Sequence, residues 1–358
     1  MSPRRQESIS AGYDPLPAVP PEAYYRPLCP EARDQGDPYV LHLPPSAGAR
    51  FRFYTYVTGV NSASGKAFRA YGSDDLVHWR ALGETLEADG SRDHWAPCVQ
   101  YLPHLPRPYV MLYSRAIGLG PEGHIGHTIR RADSTAPEGP FTDSGHILTP
   151  DDAFAIDPDV YRRPDGSLYL GYATDFILQE PLGTGLVEAK IDEDLTALLE
   201  RATPLARASY SWQVYDAKRR LPWMEIPGIN WETDTVVWHT VEGLVGGLRA
   251  PQGDEVYLYS GGNFSGFYAI GALVRHQDGR IVDVAEDEDR FVLRPRPERA
   301  FFGPGHCSLV RGAGAAYIMF HARYGAPDAP RQMGLAPLSW TEAGIPYAPW
   351  PAPPPLST

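Results

Sequence analysis

Five short aromatic and aliphatic segments recur along the chain, and their spacing constrains the fold more than any other feature. They are "FRFYTYV" from Phe51, "YVMLYS" from Tyr109, "LYLGYA" from Leu168, "VYLYSGG" from Val256 and "AYIMFHA" from Ala316. Their starts differ by 58, 59, 88 and 60 residues. Aromatic and β-branched residues favour strands. We therefore interpret each segment as one strand of a repeated unit.

Each of these strands follows another short segment that opens with a polar or aromatic residue, namely Asp37, Trp95, Asp157, Glu242 and His306. Units of about 60 residues with several short strands are typical of propeller blades around a central channel. The first strand of each blade lies innermost, so Asp37, Asp157 and Glu242 are predicted to meet at one channel mouth. A pair of β-sandwiches would scatter these acids at loop ends, and the near-equal intervals disfavour that alternative.

The overall composition agrees with an all-β fold. Tyr is the most frequent aromatic with 21 copies, and 35 Gly and 37 Pro are spread along the chain in short turn-like clusters. We predict a five-bladed β-propeller over residues 31–351, an N-terminal extension over residues 1–30 and a C-terminal tail over residues 352–358. Residues 192–202 carry the one helix-like pattern, so a short helix between strands is expected there.

Charge and cysteine content exclude several function classes. A net charge of −12 repels nucleic acid and anionic membrane surfaces, and no apolar run reaches the roughly 18 residues of a membrane span. The first 21 residues lack the apolar run of a secretory signal. Three cysteines, Cys29, Cys98 and Cys307, cannot all pair within the chain. We expect a cytoplasmic protein, and the sequence does not indicate its oligomeric state.

The 88-residue interval exceeds the period of the other units by roughly 28 residues. The extra sequence lies within residues 205–238, and it carries Trp212, Trp223, Trp231 and Trp238. Long segments inside compact folds are usually functional. Two interpretations stay open, an aromatic wall beside the channel mouth or tryptophans packed on an outer sheet.

An ordered set of stretches from Asp37 to about Pro351 makes the chain resemble glycoside hydrolase family 43. The stretches are "GDPYVL", "YGSDDLVHW", "WAPCVQYL", "ADSTAPEGPFTDSG", "IDPDVYRRPDGSLYLGYA", "VEGLVGG", "FGPGHCSLVRGAGAAYIMFHAR" and "GLAPLSWTEAGIPY". The family comprises five-bladed propeller enzymes that include α-L-arabinofuranosidases, β-xylosidases and arabinanases. Two positions depart from its pattern. Cys98 stands where an acid is common, and Leu244 follows Gly243 where proline is usual.

The resemblance implies an inverting glycosidase with three acidic residues. It assigns Asp37 as the general base, Glu242 as the general acid, and Asp157 as the acid that orients Glu242 and raises its pKa. Inverting enzymes use two carboxyl groups that leave room for a water between them and the sugar. A neighbouring negative charge makes a carboxyl group hold its proton more tightly, which agrees with this division of roles.

Three further residues are predicted to contact substrate. Trp95 resembles the aromatic residue that packs on the terminal sugar in this family, with a core tryptophan at a strand start as the alternative. Arg323 is suited to bind sugar hydroxyls or to pair with an acid. His306 resembles a histidine near the channel centre that in some members helps to hold a water-coordinated calcium. We expect no required cofactor and no tightly bound structural metal, with calcium near His306 as the alternative.

The expected activity is exo-acting removal of α-L-arabinofuranosyl or β-D-xylosyl units from hemicellulose- or arabinan-derived oligosaccharides. Another propeller glycosidase, a glycoside phosphorylase or a non-catalytic carbohydrate-binding propeller remain the alternatives. Three acids at corresponding blade positions favour an enzyme, because a binding scaffold has no reason to collect mutually repelling carboxylates.

Overall fold

β-Strands account for nearly all the regular structure of the chain. The computed structural model describes residues 15–350 except 33, 60–65, 121–122, 125, 287–289 and 313–314. Within these residues there is no α-helix, and single turns of 3-10 helix span Pro21–Ala23, Pro45–Ala47, Ser211–Gln213 and Pro297–Arg299. No helix in this part of the chain is long and apolar enough to cross a membrane.

The strands form five antiparallel sheets that follow one another along the chain, of which the third and fourth are joined into one nine-stranded sheet. The first contains β1 (Gly36–His42), β2 (Phe53–Thr58), β3 (Ala67–Ser73) and β4 (Arg80–Leu86). The second contains β5 (His94–Tyr101), β6 (Tyr109–Ala116), β9 (His127–Ser134) and β10 (Thr142–Ile147), with a small hairpin of β7 (Leu119–Gly120) and β8 (Gly123–His124) inserted. The third contains β11 (Ala155–Arg162), β12 (Leu168–Phe176), β13 (Gly183–Lys190) and β14 (Thr203–Arg207).

The fourth sheet contains β16 (Val236–Arg249), β17 (Glu255–Gly262), β18 (Tyr268–Arg275) and β19 (Ile281–Asp283). The extra segment before it contributes β15 (Val214–Arg219), which pairs with β16, and a short parallel pairing joins β13 to β16. The fifth sheet contains β20 (Phe301–Gly312), β21 (Ala315–Tyr324) and β22 (Gln332–Pro337), and a final hairpin joins β23 (Ser339–Trp340) to β24 (Pro346–Tyr347).

The first strands of the five sheets close into a ring. β1 contacts β5, β5 contacts β11, β11 contacts β16, β16 contacts β20, and β20 contacts β1. The buried apolar clusters lie where neighbouring sheets face each other; one joins Val110 and Leu112 of the second sheet to Leu170 and Tyr172 of the third. This arrangement confirms the predicted five-bladed propeller, with the innermost strands lining its channel.

The segment that precedes β1 packs on the outer edge of the fifth sheet. The backbone N–H groups of Tyr25 and Leu28 donate to the carbonyls of Leu335 and Met333 in β22. The Tyr25 ring also stacks on Trp350 at a centroid distance of 3.8 Å. Both ends of the described chain therefore meet on the last blade, and these contacts help to hold the ring closed. The domain boundaries given above stay a prediction.

The prediction of a helix over residues 192–202 is wrong. Asp192 accepts hydrogen bonds from the backbone N–H groups of Thr196 and Ala197, and Leu195 adopts a left-handed conformation with φ 56°. A short acidic side chain that binds nearby N–H groups competes with helix formation and favours a turn. The three cysteines are free and buried.

Candidate active site

Each innermost strand carries the same backbone irregularity near its start. In each strand one residue at a corresponding break in register has a positive φ, and we call these five the bulge residues: Asp37 (51°), Ala96 (49°), Asp157 (61°), Gly243 (60°) and His306 (44°). Two further glycines, Gly247 in β16 and Gly303 in β20, lie at a second break in their strands. Such β-bulges redirect side chains and are common at barrel rims and active sites. In two blades the residue that corresponds to Asp37 is one position later than the sequence analysis proposed. Trp95 precedes the bulge residue of its strand, and so does Glu242.

The backbone N–H of every bulge residue is bound by a side chain of the adjacent blade. The acceptors lie 2.7 to 3.1 Å away, and the pairs are Asp37 with His321 Nδ1, Ala96 with Thr58 Oγ1, Asp157 with Ser114 Oγ, Gly243 with Asp157 Oδ2 and His306 with Ser260 Oγ. A left-handed conformation costs an L-residue roughly 1 to 2 kcal/mol. The buried hydrogen bond to the next blade offsets that cost and joins each site residue to its neighbour.

Asp37 lies among three nitrogen-bearing side chains at the channel mouth. Its Oδ1 is 3.3 Å from His306 Nδ1, 3.3 Å from His321 Nδ1 and 3.5 Å from Arg331 Nη1. Burial opposes ionisation of this carboxyl group, but these neighbours outweigh it and hold the pKa of Asp37 well below its usual value. Asp37 is therefore an ionised hydrogen-bond acceptor at neutral pH.

Asp157 and Glu242 lie on adjacent blades and share one electrostatic environment. Asp157 Oδ2 accepts a hydrogen bond of 3.1 Å from the N–H of Gly243, so it fixes the backbone next to Glu242. Burial, the Glu242 charge and then the Asp37 charge raise the pKa of Asp157 well above its usual value. Burial and the Asp37 charge raise the pKa of Glu242 to about 7. Two close carboxyl groups of this kind retain a proton near neutral pH.

Tyr268 binds the carboxyl group of Glu242 directly. Its hydroxyl donates to Glu242 Oε1 over 2.7 Å, and its ring stacks on His321. A Cβ at Gly305 would lie 2.0 Å from the Tyr268 ring, so only glycine leaves room for it. Sequence reasoning missed Tyr268, because one tyrosine among many in strands carries no distinguishing pattern. The glycine opposite it was the available indication of a close approach.

The departure of Leu244 from the family pattern leaves the site intact. Leu244 is 3% exposed, and its side chain occupies the space above Gly171 in the third sheet. Gly243 keeps the left-handed conformation of the other bulges. Its N–H still reaches Asp157. The backbone that carries Glu242 is therefore held by packing and by this hydrogen bond instead of by a proline ring.

His306 lies between two of the three acids. Its Nδ1 is 3.3 Å from Asp37 Oδ1 and 3.8 Å from Asp157 Oδ2. Burial lowers the pKa of His306 more than the Asp37 charge raises it, so the ring is neutral at pH 7 and can donate a hydrogen bond to Asp37 from Nδ1. The described residues include no group of three or more His, Cys, Asp or Glu arranged to hold a metal. Calcium takes six to eight oxygen ligands, so calcium here would be bound mainly by water.

Trp95 lies at the mouth with one ring face covered. The indole stacks on His127 at a centroid distance of 3.9 Å, and His127 in turn meets the edge of Phe154. Trp95 remains half-buried, whereas His127 is fully buried. The three rings pack one on another between the second and third blades, and packing of Trp95 on a sugar stays a prediction.

The arginine that approaches the Asp37 carboxylate is Arg331. Arg331 binds both carboxylate oxygens of Asp34 at 2.9 and 3.1 Å while approaching Asp37. A Cβ at Gly36 would lie 2.3 Å from its guanidinium carbon, so the glycine before Asp37 makes room for it. Arg323 donates to the backbone carbonyls of Ala329 and Phe264. Its contact with substrate stays a prediction.

Of the four tryptophans in the extra segment, three are packed against the protein and one is exposed beside a cavity. Trp212 donates to the carbonyl of Ala285 and packs against the edge of the Phe291 ring. Trp231 donates to the carbonyl of Met224, and Trp238 is 1% exposed. These three are structural. Trp223 is 39% exposed and lines a cavity on the side of the ring that carries the acids.

The comparisons with known proteins agree with this geometry. The model of Glycosyl hydrolases family 43 matches residues 42–346, which include Asp157, Glu242 and His306 and begin just after Asp37. A search of curated protein sequences found no match.

Solved structures show the same fold at low sequence identity. The crystal structure of a thermostable family-43 glycoside hydrolase has a TM-score of 0.69 and 24% identity, covering 91% of this chain and 96% of its own. An α-L-arabinofuranosidase from Lactobacillus brevis has a TM-score of 0.67 and 18% identity, covering 94% and 99%. A xylan β-1,4-xylosidase from Bacillus halodurans C-125 has a TM-score of 0.62 and 17% identity, covering 88% and 55%.

The family match spans most of the chain and contains two of the three converging acids. Its members act on oligosaccharides or polysaccharides. The five-bladed propeller with acidic side chains around one channel mouth therefore belongs to Glycosyl hydrolases family 43.

Proposed function

We propose that the protein is an inverting, exo-acting glycosidase that removes α-L-arabinofuranosyl or β-D-xylosyl units from hemicellulose- or arabinan-derived oligosaccharides. Asp37 acts as the general base, Glu242 as the general acid, and Asp157 positions Glu242. The observation that carries the proposal is the opposite electrostatic environment of two carboxyl groups at one mouth. Neighbours hold the pKa of Asp37 low, whereas burial raises the pKa of Glu242 to about 7. A base and an acid are thereby available at the same pH.

The reaction follows from these two protonation states. Asp37 accepts a proton from a water molecule as the water oxygen attacks the anomeric carbon. The bond from that carbon to the leaving oxygen breaks, and Glu242 gives its proton to the leaving oxygen. The attack from the opposite face inverts the anomeric configuration. Asp37 ends protonated and Glu242 ionised, and proton exchange with solvent restores both.

A neighbouring side chain stabilises the ionised form of Glu242 that remains after proton transfer. The Tyr268 hydroxyl donates to Glu242 Oε1, and hydrogen bonds to an ionised carboxylate are stronger than those to a neutral one. Tyr268 therefore stabilises the product state of proton transfer more than the starting state. Burial raises the pKa of Tyr268 itself well above its usual value, so the hydroxyl remains a donor.

The depth of the site supports action at a chain end. The side chains of Asp37 and Asp157 are only 11% and 6% exposed, and they lie inside a closed ring of strands. The terminal sugar of a chain can reach such a depth more easily than a sugar in the middle of a long chain. A role for calcium near His306 and a cytoplasmic location stay predictions, and no step above depends on either.

The test is a panel of aryl pentosides and linear arabino- and xylo-oligosaccharides, with the anomer of the first product followed by NMR. We expect release of single pentose units with inverted configuration. Release of the retained anomer would reject the mechanism even if the enzyme is active. Release of internal fragments from long chains would reject the exo action and leave the acid assignments in place.

A further inference from the structure

A second cavity lies on the side of the ring that carries the catalytic acids, between the third blade and the extra segment before β16. Its volume is about 390 Å3, which lies within the range of small-molecule sites. We call it the lateral cavity. Its lining includes Phe154, Asp175, Arg219, Trp223, Met224 and Trp238. No role assigned above uses it.

The lateral cavity adjoins residues that neighbour the catalytic mouth on two sides. Phe154 stands just before the strand that carries Asp157, and its ring meets His127, on which Trp95 stacks. On the other side Arg219 ends β15, which pairs with β16. The same strand β16 carries Glu242. The positive charge of Arg219 also acts on the Glu242 carboxyl group.

The chemistry of catalysis fixes which part of a substrate faces this cavity. Glu242 gives its proton to the leaving oxygen, so the leaving sugar must lie on the Glu242 side of the scissile bond. The cavity is built from β15 and β16 on that side. A chain that places its terminal sugar between the acids therefore extends toward the lateral cavity.

The lining combines a flat apolar face with partly buried polar groups, which is the combination that sugars require. Trp223 is 39% exposed, and its indole can pack on the CH-rich face of a sugar ring. Asp175 Oδ1 accepts a hydrogen bond of 2.9 Å from the Thr184 hydroxyl, which fixes the carboxyl group at the wall. Arg219 is held over the rings of Tyr215 and Trp238, so its orientation is also set before substrate arrives.

From these observations we propose that the lateral cavity is the binding site for the sugar on the leaving-group side, with Trp223 as its stacking surface and Asp175 as an acceptor for its hydroxyls. This inference rests on the proposed function, because it uses Glu242 as the general acid. It assigns to the extra segment the selection of substrates that carry a second sugar over those that carry only a small leaving group.

The test compares substrates that differ only in their leaving group. Wild type, Trp223→Ala and Trp223→Phe are assayed on pentosyl fluorides, whose fluoride cannot fill the cavity, and on β-1,4-xylobiose and α-1,5-arabinobiose. We expect Trp223→Ala to lose at least tenfold more kcat/KM on the disaccharides than on the fluorides, and Trp223→Phe to recover most of that loss. Leu199→Ala removes a side chain that is 65% exposed outside the cavity and serves as the control. Equal losses on both substrate types, or no loss on either, would overturn the proposal.

Binding measurements separate failure of this inference from failure of the proposed function. Calorimetric titrations use Glu242→Gln and Glu242→Gln/Trp223→Ala with the same disaccharides and with free xylose and arabinose. A Kd for a disaccharide that is at least fivefold weaker in the double variant, with no change for the monosaccharides, supports the cavity as a sugar site. If wild type cleaves no pentoside, the proposed function fails while this binding result still decides the cavity. Equal Kd values in both variants, or no disaccharide binding, would overturn the lateral cavity as a sugar site.

Discussion

Asp157 and Asp159 lie two residues apart on β11 and line one small cavity in the channel, yet they face different charged groups. Both side chains are nearly buried, at 6% and 8% exposure. Both accept a backbone N–H from β16, Asp157 from Gly243 and Asp159 from Gly246. Asp157 meets Glu242 and Asp37, whereas Asp159 meets Arg311. The two acids share burial and backbone contacts and differ in their charged neighbours.

The difference teaches that burial alone does not make an acid useful for catalysis. Burial raises the pKa of Asp159 to about 6, and Arg311 limits the rise. Asp159 also lines a cavity of about 640 Å3, together with Arg311 and Gln100. Asp37, Asp157 and Glu242 do not line that cavity. The mouth combines an acid that gives up its proton easily with acids that retain one, and this pairing is what proton transfer requires.

The largest expected effect comes from removing one member of that pair. Asp37→Asn and Glu242→Gln should each lower kcat on an aryl pentoside by about 10³-fold, because each removes a proton acceptor or donor of the reaction. Steady-state kinetics measures the loss, and circular dichroism with thermal unfolding verifies that the variants fold. A variant that keeps a near-wild-type rate would reject the role of its residue.

A smaller loss is expected from Asp157→Asn. The amide oxygen can still accept from Gly243, so the backbone beside Glu242 stays in place, but the carboxyl group that shares charge with Glu242 is lost. We expect kcat to fall roughly 10- to 100-fold. Wild-type activity should decline above about pH 7, since Glu242 must carry a proton and burial raises its pKa to about 7. In Asp157→Asn this alkaline limb should move to lower pH. A pH–rate profile with an unmoved limb would show that Asp157 does not act on the charge of Glu242.

Tyr268→Phe should move the same limb in the opposite direction. The Tyr268 hydroxyl favours the ionised form of Glu242 and lowers its pKa, so its removal should raise that pKa and extend activity to higher pH. We expect kcat to fall roughly tenfold, because a hydrogen bond to a charged group contributes about 1.5 to 3 kcal/mol. The phenyl ring preserves the stack on His321. A limb that moves down, or a loss confined to KM, would contradict this role.

The repeat in the sequence was sufficient to predict the ring and the meeting of its acids, because equal spacing of strands implies equal placement in successive blades. It could not locate the bulge in each strand. Glu242 therefore was aligned with Asp37, although Gly243 holds the corresponding backbone position. A bulge inserts one residue without changing the residue types around it, and so a one-residue offset is invisible in the spacing.

The partners of the acids were beyond sequence reasoning for a different reason. Arg331 reaches Asp37 across 294 positions of the chain, and Tyr268 reaches Glu242 from the outer side of its blade. Such contacts depend on how the ring of blades closes and on which neighbouring residues are small enough to leave room for the Arg331 and Tyr268 side chains. The glycines that leave the room, Gly36 and Gly305, are in the sequence, but 35 glycines serve many turns.

The smallest effect on catalysis is expected from Asp159→Asn, which changes the acid that takes no part in the proposed reaction. Asp159 is outside the mouth, so kcat at pH 6 should stay within about twofold of wild type. Its contribution should appear in stability, since burial raises its pKa from 3.8 in the unfolded chain to about 6 in the folded protein. The folded state then binds more protons than the unfolded state between those values, and wild type loses stability as the pH rises from about 4 to about 6.

Asparagine carries no such proton, so the variant should escape that loss. A rise of about two pKa units corresponds to roughly 2 to 3 kcal/mol, and Asp159→Asn should gain up to this amount relative to wild type on going from pH 4 to pH 7. Urea unfolding of both proteins at the two pH values measures the difference, and the other acids cancel because both proteins carry them. If the two stability curves run parallel, Asp159 has the same pKa in the folded and the unfolded protein. The Gly246 N–H and Arg311 would then offset the effect of burial, and the contrast with Asp157 would be one of charge pairing alone.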